Sequence, residues 1–289
     1  MPQTATASKG LVNLRSEPKQ QAELISQYLM GGKFEILGKE ANYYRVETDD
    51  EVTGWIHQSS LVLNDASSSD DDIFSDRLMI CLSSFSVLRE KESEDSMPVA
   101  TVFLGTILNL DEPVTNYYLK TREWLRVKLP DTSIAFLKKE DFNVFANYQE
   151  RYYNNPKTAV DMALSLVGVS YLWGGTTPAA LDCSGLVQLS CRMAGKLIPR
   201  NSYQQAEIGE QIELDSDFLA LKPGDLLFFS EGERVSHVAI ALDQGRFVHS
   251  SLTFGQVAVT SLRKSDKEFH QLFRDIYIFT KRLDWNPQE

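Results

Sequence analysis

The chain has 289 residues, with 40 acidic against 29 basic side chains, a net charge of −11 and 43% hydrophobic content. That length and apolar content support about two domains or more, each with a genuine core. The acidic balance excludes a nucleic-acid or anionic-membrane partner, which rewards clustered Lys and Arg, and no apolar run approaches the ~20 residues of a membrane span.

The opening "MPQTATASKG" has no hydrophobic core like that of a signal peptide. Residues 10 to 63 hold short alternating segments, "KFEILG", "YYRVET" and "TGWIHQ", separated by Gly, Asn and Asp, a spacing that predicts a small barrel of short strands. "NDASSSDDD", residues 64 to 72, reads as a polar linker with almost nothing to bury. The pattern then repeats: "VNLRSEPKQQAELISQYLMGGKFEIL" is answered by "SVLREKESEDSMPVATVFLGTILNL", and "YYRVETDDEVTGWIHQSSL" by "WLRVKLPDTSIAFLKKEDF". Two similar modules are implied, with Tyr44, Trp55 and Trp124 as barrel packing. From Tyr148 the texture changes, and apolar residues at 160, 163, 164 and 167 predict an amphipathic helix that opens a third domain.

Three cysteines, Cys81, Cys183 and Cys191, cannot all pair and show no CxxC spacing, so neither a disulfide framework nor a thiolate zinc site is expected. "LDCSGLVQLSC" reads as a loop running into a helix, with Leu186, Val187, Ser190, Cys191 and Ala194 at helical spacing and Gly195 closing it. Asp182 is then the N-cap and Cys183 falls in the first turn. There the unpaired N–H groups and the helix field favour a thiolate and can cradle an oxyanion. Cys191 lies just over two turns further on and Cys81 sits in a strand-like segment; both are expected in core packing.

A nucleophilic thiol needs a base, and the chain has four histidines, His57, His237, His249 and His270. "SHVAIALDQGRFVHSS" reads as a hairpin turned at Gly245. With "DQG" as a three-residue loop, Leu242 opposes Arg246 and Ala239 opposes His249. His237 then becomes the diagonal neighbour of His249 on one face, ~7–8 Å apart along the backbone. This supports a chain of roles in which Cys183 attacks, His237 takes and returns the proton, and His249 orients His237. A metal held by the two histidines is the alternative, but it needs a third ligand that the sequence does not place.

"YLWGG", "DCSGLVQ", "PRNSYQQ", "LKPGDLLFF", "SHVAIAL" and "RFVHSS", in this order, resemble the NlpC-type cell-wall cysteine peptidases. "VNLRSEP", "YYRV" and "TGWIHQSSL" resemble bacterial SH3-like domains. Together they imply an α+β multidomain protein: SH3-like β-barrels at 8–64 and, more divergent, at 73–146, then a papain-like α+β catalytic domain at 150–285. The second barrel has Ala135-Phe136 where the first has Gly54-Trp55. The whole chain is similar to bacterial γ-D-glutamyl-diamino acid endopeptidases, which cut murein peptides between D-glutamate and the diamino acid.

The resemblance places the triad on Cys183, His237 and His249, with the Tyr171 hydroxyl joining the Cys183 amide in an oxyanion hole. It puts Trp173, Asp182, Ser184, Arg200 and Ser202 around the substrate. Glu23 of "AELISQ" stands where an acid would meet the free amine of an N-terminal L-alanine, while "DDEVTG" lacks the tyrosine expected beside it, leaving Tyr43 or Tyr44 to serve. "PRNS" has Asn201 where relatives often carry Asp; Asp225 of "LKPGD" is expected to be structural. No cofactor or metal is implied, and the expected partners are peptidoglycan-derived peptides of a monomeric enzyme. An envelope or periplasmic location follows from such a substrate, with cytoplasmic recycling of imported peptides as the alternative. The same Cys–His machinery also suits an amidase or acyltransferase, and a catalytically silent wall-binding protein is the non-enzyme alternative.

Overall fold

Alternation of apolar and polar side chains makes the N-terminal third a sheet. In Leu11–Arg15, Val12 and Leu14 are buried while Asn13 is exposed, the period of two required of a strand with one wet face. The computed structural model describes residues 3–64, 78–111, 121–145 and 155–285. Its compact units are Met1–Arg151 and Tyr152–Glu289. Most of the expected linker and Tyr148 lie outside the described residues.

The first unit contains two seven-stranded antiparallel sheets. One runs in the order Leu24–Leu29, Leu11–Arg15, Thr53–His57, Tyr43–Thr48, Lys33–Glu40, Thr4–Ala7, Leu61–Leu63. The other runs Pro98–Phe103, Phe85–Arg89, Ile134–Lys138, Trp124–Lys128, Ile107–Leu110, Leu78–Cys81, Phe142–Phe145. Strand for strand the order is the same, and both are SH3-like. A shared detail carries the repeat down to atoms: Arg15 donates to the Ala22 carbonyl at 2.8 Å and Arg89 to the Ser96 carbonyl at 2.6 Å, each seven residues ahead. At Gly54 an added Cβ would lie 2.7 Å from Leu14 and 2.9 Å from the Arg15 carbonyl, whereas the second copy accommodates Ala135.

The aromatic residues divide as packing expects. Trp124 is buried, and the Lys39 ammonium lies 4.9 Å from the Tyr44 ring centroid. The copies are also joined. Met30 of the first belongs to the apolar core of the second, with Met79, Leu108 and Leu125. A Cβ on Gly10 would lie 1.6 Å from the Thr101 carbonyl oxygen, so only glycine permits that approach.

The second unit is α+β. Its antiparallel sheet runs Glu210–Ile212, Tyr277–Arg282, Leu226–Phe229, His237–Asp243, Arg246–Ser251, Gln256–Ser261. Leu226–Phe229 is buried throughout. Asp225, at its start, is buried against Arg282, which donates to both of its oxygens at 2.7 Å; its role is structural. Helix Pro156–Ser165 forms as expected, with Asn155 as N-cap and Pro at its first position. Its buried face is Ala159, Val160 and Ala163, continued by Leu166. Leu164 and Val167 are exposed, because the helix ends at Ser165 and the small alanines let that other face pack inward.

Candidate active site

The nucleophile's position is set by local chemistry. Asp182 is extended at the N-cap, and its Oδ1 accepts the Gly185 N–H at 2.7 Å, so helix Cys183–Met193 begins at the cysteine. Asp182 Oδ2 accepts the Gly174 N–H at 2.8 Å and thereby ties the preceding loop to the helix. That loop passes so close that a Cβ on Gly185 would lie 2.2 Å from the Gly175 carbonyl oxygen; this is why "DCSG" ends in glycine.

Arg200 completes the cap. The residue is 1% exposed, and its guanidinium donates to Asp182 at 3.0 and 2.5 Å and to the Ser184 hydroxyl at 2.7 Å. Ser184 in turn donates to Asp182 Oδ1 at 3.2 Å. The three residues expected around the substrate are therefore buried and directed at one another, a bidentate pair beneath the first turn. Ser202 opens the short helix Ser202–Gln205 just beyond Arg200 and is partly exposed. Gln205 is fully buried and donates to the carbonyls of Ser184 and Pro199.

Cys183 is 7% exposed, and backbone N–H groups of Val238 and Ser184 point at its sulfur. Contact with Val238 brings the thiol beside the residue that follows His237. Burial foremost, then the Asp182 carboxylate, push the thiol up to about 12, against smaller opposing effects of the Val238 amide, Arg200 and the Ser184 amide. This corrects the expected resting thiolate: loss of hydration outweighs the helix field. Burial likewise pushes His237 down to about 4, although the residue is only partly buried from solvent. Burial thus disfavours the charged form of both groups, the thiolate of Cys183 and the imidazolium of His237.

The histidines meet as the pairing arithmetic expects, through a different turn. Asp243 pairs with Arg246 across Gln244-Gly245, and Leu242 bulges before the register resumes at Ala241–Phe247 and Ile240–Val248. Gly245 has φ +88, the left-handed conformation the turn needs. Leu242 does not oppose Arg246, yet the resumed register still sets Ala239 across from His249. His237 Nε2 lies 2.8 Å from His249 Nδ1.

Beyond them stands a residue the sequence reading missed. His249 Nε2 lies 2.9 Å from Thr260 Oγ1, and Thr260 belongs to the next strand, paired with Phe247. Both His249 and Thr260 are 0% exposed. His249 is further enclosed by Phe247, Phe254 and Phe273, the last at 4.5 Å between ring centroids. That enclosure, with the neighbouring His237 and His270, holds its pKa well below the usual imidazole range. Thr260 lies in "GQVAVTS", where alternation fixes its face but not its partner.

Tyr171 is held by its N–H to the Gly255 carbonyl at 2.8 Å and by a bridge to Leu181. Burial foremost, then charge on Cys183 and Asp182, push its hydroxyl up to about 12, so it stays a donor at neutral pH. Trp173, nearby in sequence, is 58% exposed. Glu23 belongs to the first unit, exposed at the entry to strand Leu24–Leu29. Cys81 and Cys191 are buried. His57 caps a 3₁₀ turn, and His270 meets Phe254 edge-on and Phe273 at a tilt. Among the described residues no three His, Cys, Asp or Glu side chains are grouped to hold a metal, and no helix is long and apolar enough to cross a membrane.

Comparison with known proteins matches residues 168–273 to the NlpC/P60 family and residues 9–62 to the bacterial SH3 domain. A Lysinibacillus sphaericus protein named dipeptidyl-peptidase 6 is 29% identical over 91% of this chain and 92% of its own. The gamma-D-glutamyl-L-lysine dipeptidyl-peptidase of Bacillus cereus is 23% identical over 79% of this chain and 67% of its own. Escherichia coli murein DD-endopeptidase MepS/murein LD-carboxypeptidase is 37% identical over 34% of this chain and 50% of its own. In fold, a crystal structure of a Bacillus cereus NlpC/P60 family protein superposes with a TM-score of 0.79 at 20% identity, covering 96% of this chain and 99% of the other. The chain is thus a bacterial SH3 domain and a divergent second copy of it, followed by an NlpC/P60 domain that carries Cys183, His237 and His249.

Proposed function

We propose that the protein is a cysteine peptidase that cuts murein-derived peptides between D-glutamate and the diamino acid. The observation that carries this proposal is a hydrogen-bonded histidine pair behind a helix-capped cysteine, His237 Nε2 to His249 Nδ1 at 2.8 Å. The thiol proton passes to His237 Nδ1 as sulfur adds to the peptide carbonyl carbon. The oxyanion then accepts from the Cys183 N–H and the Tyr171 hydroxyl. As it collapses, His237 returns the proton to the departing amine and a thioester remains. Water adds next, giving its proton to His237, and the carboxylate leaves as the thiol is restored. Burial, which pushes the thiol up and the imidazole down, favours passing the proton as sulfur attacks over forming an ion pair beforehand.

The bond cut is a matter of substrate binding, since the NlpC/P60 relatives carry names for different murein cleavages. Trp173 and Ser202 retain exposed surface for the peptide, while Asp182, Ser184 and Arg200 act by fixing the nucleophile's helix. Such a substrate places the enzyme at the cell envelope, or in the cytoplasm if imported peptides are recycled. The test is incubation with L-Ala-γ-D-Glu-diaminopimelate and its N-acetylated form, read by mass spectrometry. Release of L-Ala-D-Glu, lost in Cys183→Ala, supports the proposal; no cleavage of either peptide overturns it. Preference for the free amine, diminished in Glu23→Gln, supports the finer selectivity implied for Glu23, and equal rates on both peptides refute it.

A further inference from the structure

His249 must do more than touch His237. For His237 to take a proton at Nδ1, that nitrogen must be bare, so the ring's hydrogen sits on Nε2 and is donated to His249. His249 Nδ1, 2.8 Å away, then has to accept. A neutral imidazole that accepts at Nδ1 carries its hydrogen on Nε2. Hence the productive state of His237 requires one tautomer of His249, and that tautomer presents an N–H to the protein interior.

At that point stands Thr260 Oγ1, 2.9 Å from His249 Nε2. Around the ring lie Phe247, Phe254 and Phe273, with the His270 imidazole near by, and the polar atom at hydrogen-bond distance from His249 Nε2 is Thr260 Oγ1. We propose that Thr260 is a positioning residue for catalysis: its hydroxyl accepts the His249 Nε2 hydrogen and thereby selects the tautomers of both histidines. His237, His249 and Thr260 lie on three successive strands, His237–Asp243, Arg246–Ser251 and Gln256–Ser261. Each side chain is the diagonal neighbour of the next on one face. The hydrogens along the row then run from His237 through His249 toward Thr260, and they keep that direction when His237 is protonated, because the imidazolium still donates from Nε2.

Without the hydroxyl, the required tautomer leaves a buried N–H unsatisfied. Moving the hydrogen to His249 Nδ1 relieves this, but it forces His237 to accept at Nε2 and to carry its own hydrogen on Nδ1. The base is then blocked rather than lost. A hydroxyl that merely packs has no such effect, and one that donates to His249 Nε2 has the opposite effect, since its removal would free the base.

The inference rests on the peptidase reading for its kinetic arm only. Thr260→Val keeps the shape and removes the hydroxyl; Thr260→Ser restores it. We expect kcat on the free tripeptide to fall roughly tenfold in Thr260→Val with KM within about twofold, and to recover in Thr260→Ser. Independently of any substrate, nitrogen NMR of the resting protein should find the His249 hydrogen on Nε2 in the parent and in Thr260→Ser, and on Nδ1 in Thr260→Val. Unchanged or higher kcat in Thr260→Val overturns the inference, as does a parent His249 protonated on Nδ1. The latter measurement decides the matter even if Thr260→Val does not fold. A protein that shows the expected tautomers but cleaves no murein peptide upholds this arrangement and refutes the substrate instead.

Discussion

Replacing Arg200 by Met tests whether the buried pair beneath the nucleophile's helix holds it in place. In the parent, Asp182 accepts from Arg200 twice and also from Gly174, Gly185 and Ser184. The substitution leaves the last three and strands a buried carboxylate without its counter-charge. Removing one partner of a buried pair costs ~3–5 kcal/mol. The unit Tyr152–Glu289 is roughly 140 residues, so at ~2.1 cal/mol/K per residue its unfolding entropy gives a fall in Tm of roughly 10–17 °C. Differential scanning calorimetry is the assay. Adding Asp182→Asn to Arg200→Met should recover at least ~1–2 kcal/mol of the summed single costs, since the stranded charge is gone. An Arg200→Met protein within ~1 kcal/mol of the parent, or a strictly additive double variant, would refute the assignment.

Four further outcomes follow from the same geometry. Alkylation of Cys183 in substrate-free protein should climb with pH beyond neutrality, without a plateau near pH 7, because its thiol is pushed up to about 12; a neutral plateau would restore the resting thiolate. Folded His237, at about 4, lies below the ~6.5 of an unfolded histidine, so the unfolded chain binds more protons between those values. Its stability contribution is therefore present above ~6.5 and is lost as pH falls toward 4. Urea midpoints for parent and His237→Asn should converge over that window, and a constant difference would contradict the depressed value. Gly10→Ala should destabilise the first unit by ~1–3 kcal/mol, since the added Cβ meets the Thr101 backbone; an unchanged urea midpoint would mean the copies separate at little cost. Peptidase activity should survive EDTA, and restoration by zinc after its loss would revive a metal mechanism.

What was legible in the sequence was local or periodic. Asp182 as N-cap and Cys183 in the first turn follow from residues three apart, and the strand order of the second SH3-like copy was foreshadowed by its repeated phrases. The His237–His249 contact was also readable, because a hairpin's register depends on a few residues, although the bulge at Leu242 was not. The wrong stripe on helix Pro156–Ser165 arose from counting Leu164 and Val167 above Ala159. The direction of the Cys183 shift is hidden for a different reason: burial comes from segments distant in sequence, such as the strands His237–Asp243 and Arg246–Ser251 against which the helix packs, and no cap or dipole argument contains them. Thr260 requires the register of a third strand beyond the turn at Leu252–Gly255, which alternation alone leaves open.

The bulge at Leu242 separates two properties that a hairpin ordinarily ties together. In a regular ladder the number of residues in the turn decides which face every later side chain occupies. Here one unpaired residue stands between the Gln244-Gly245 turn and the ladder that carries the histidines. Removing Leu242 would close a plain two-residue hairpin with Ala241 still opposite Phe247, leaving His237 and His249 on their shared face. An extra residue between His237 and Ala241 has no such buffer and would turn His237 to the opposite side of the sheet. The hairpin's tip is thereby free to change length by one, while the four residues behind it admit no change in parity without dismantling the proton path.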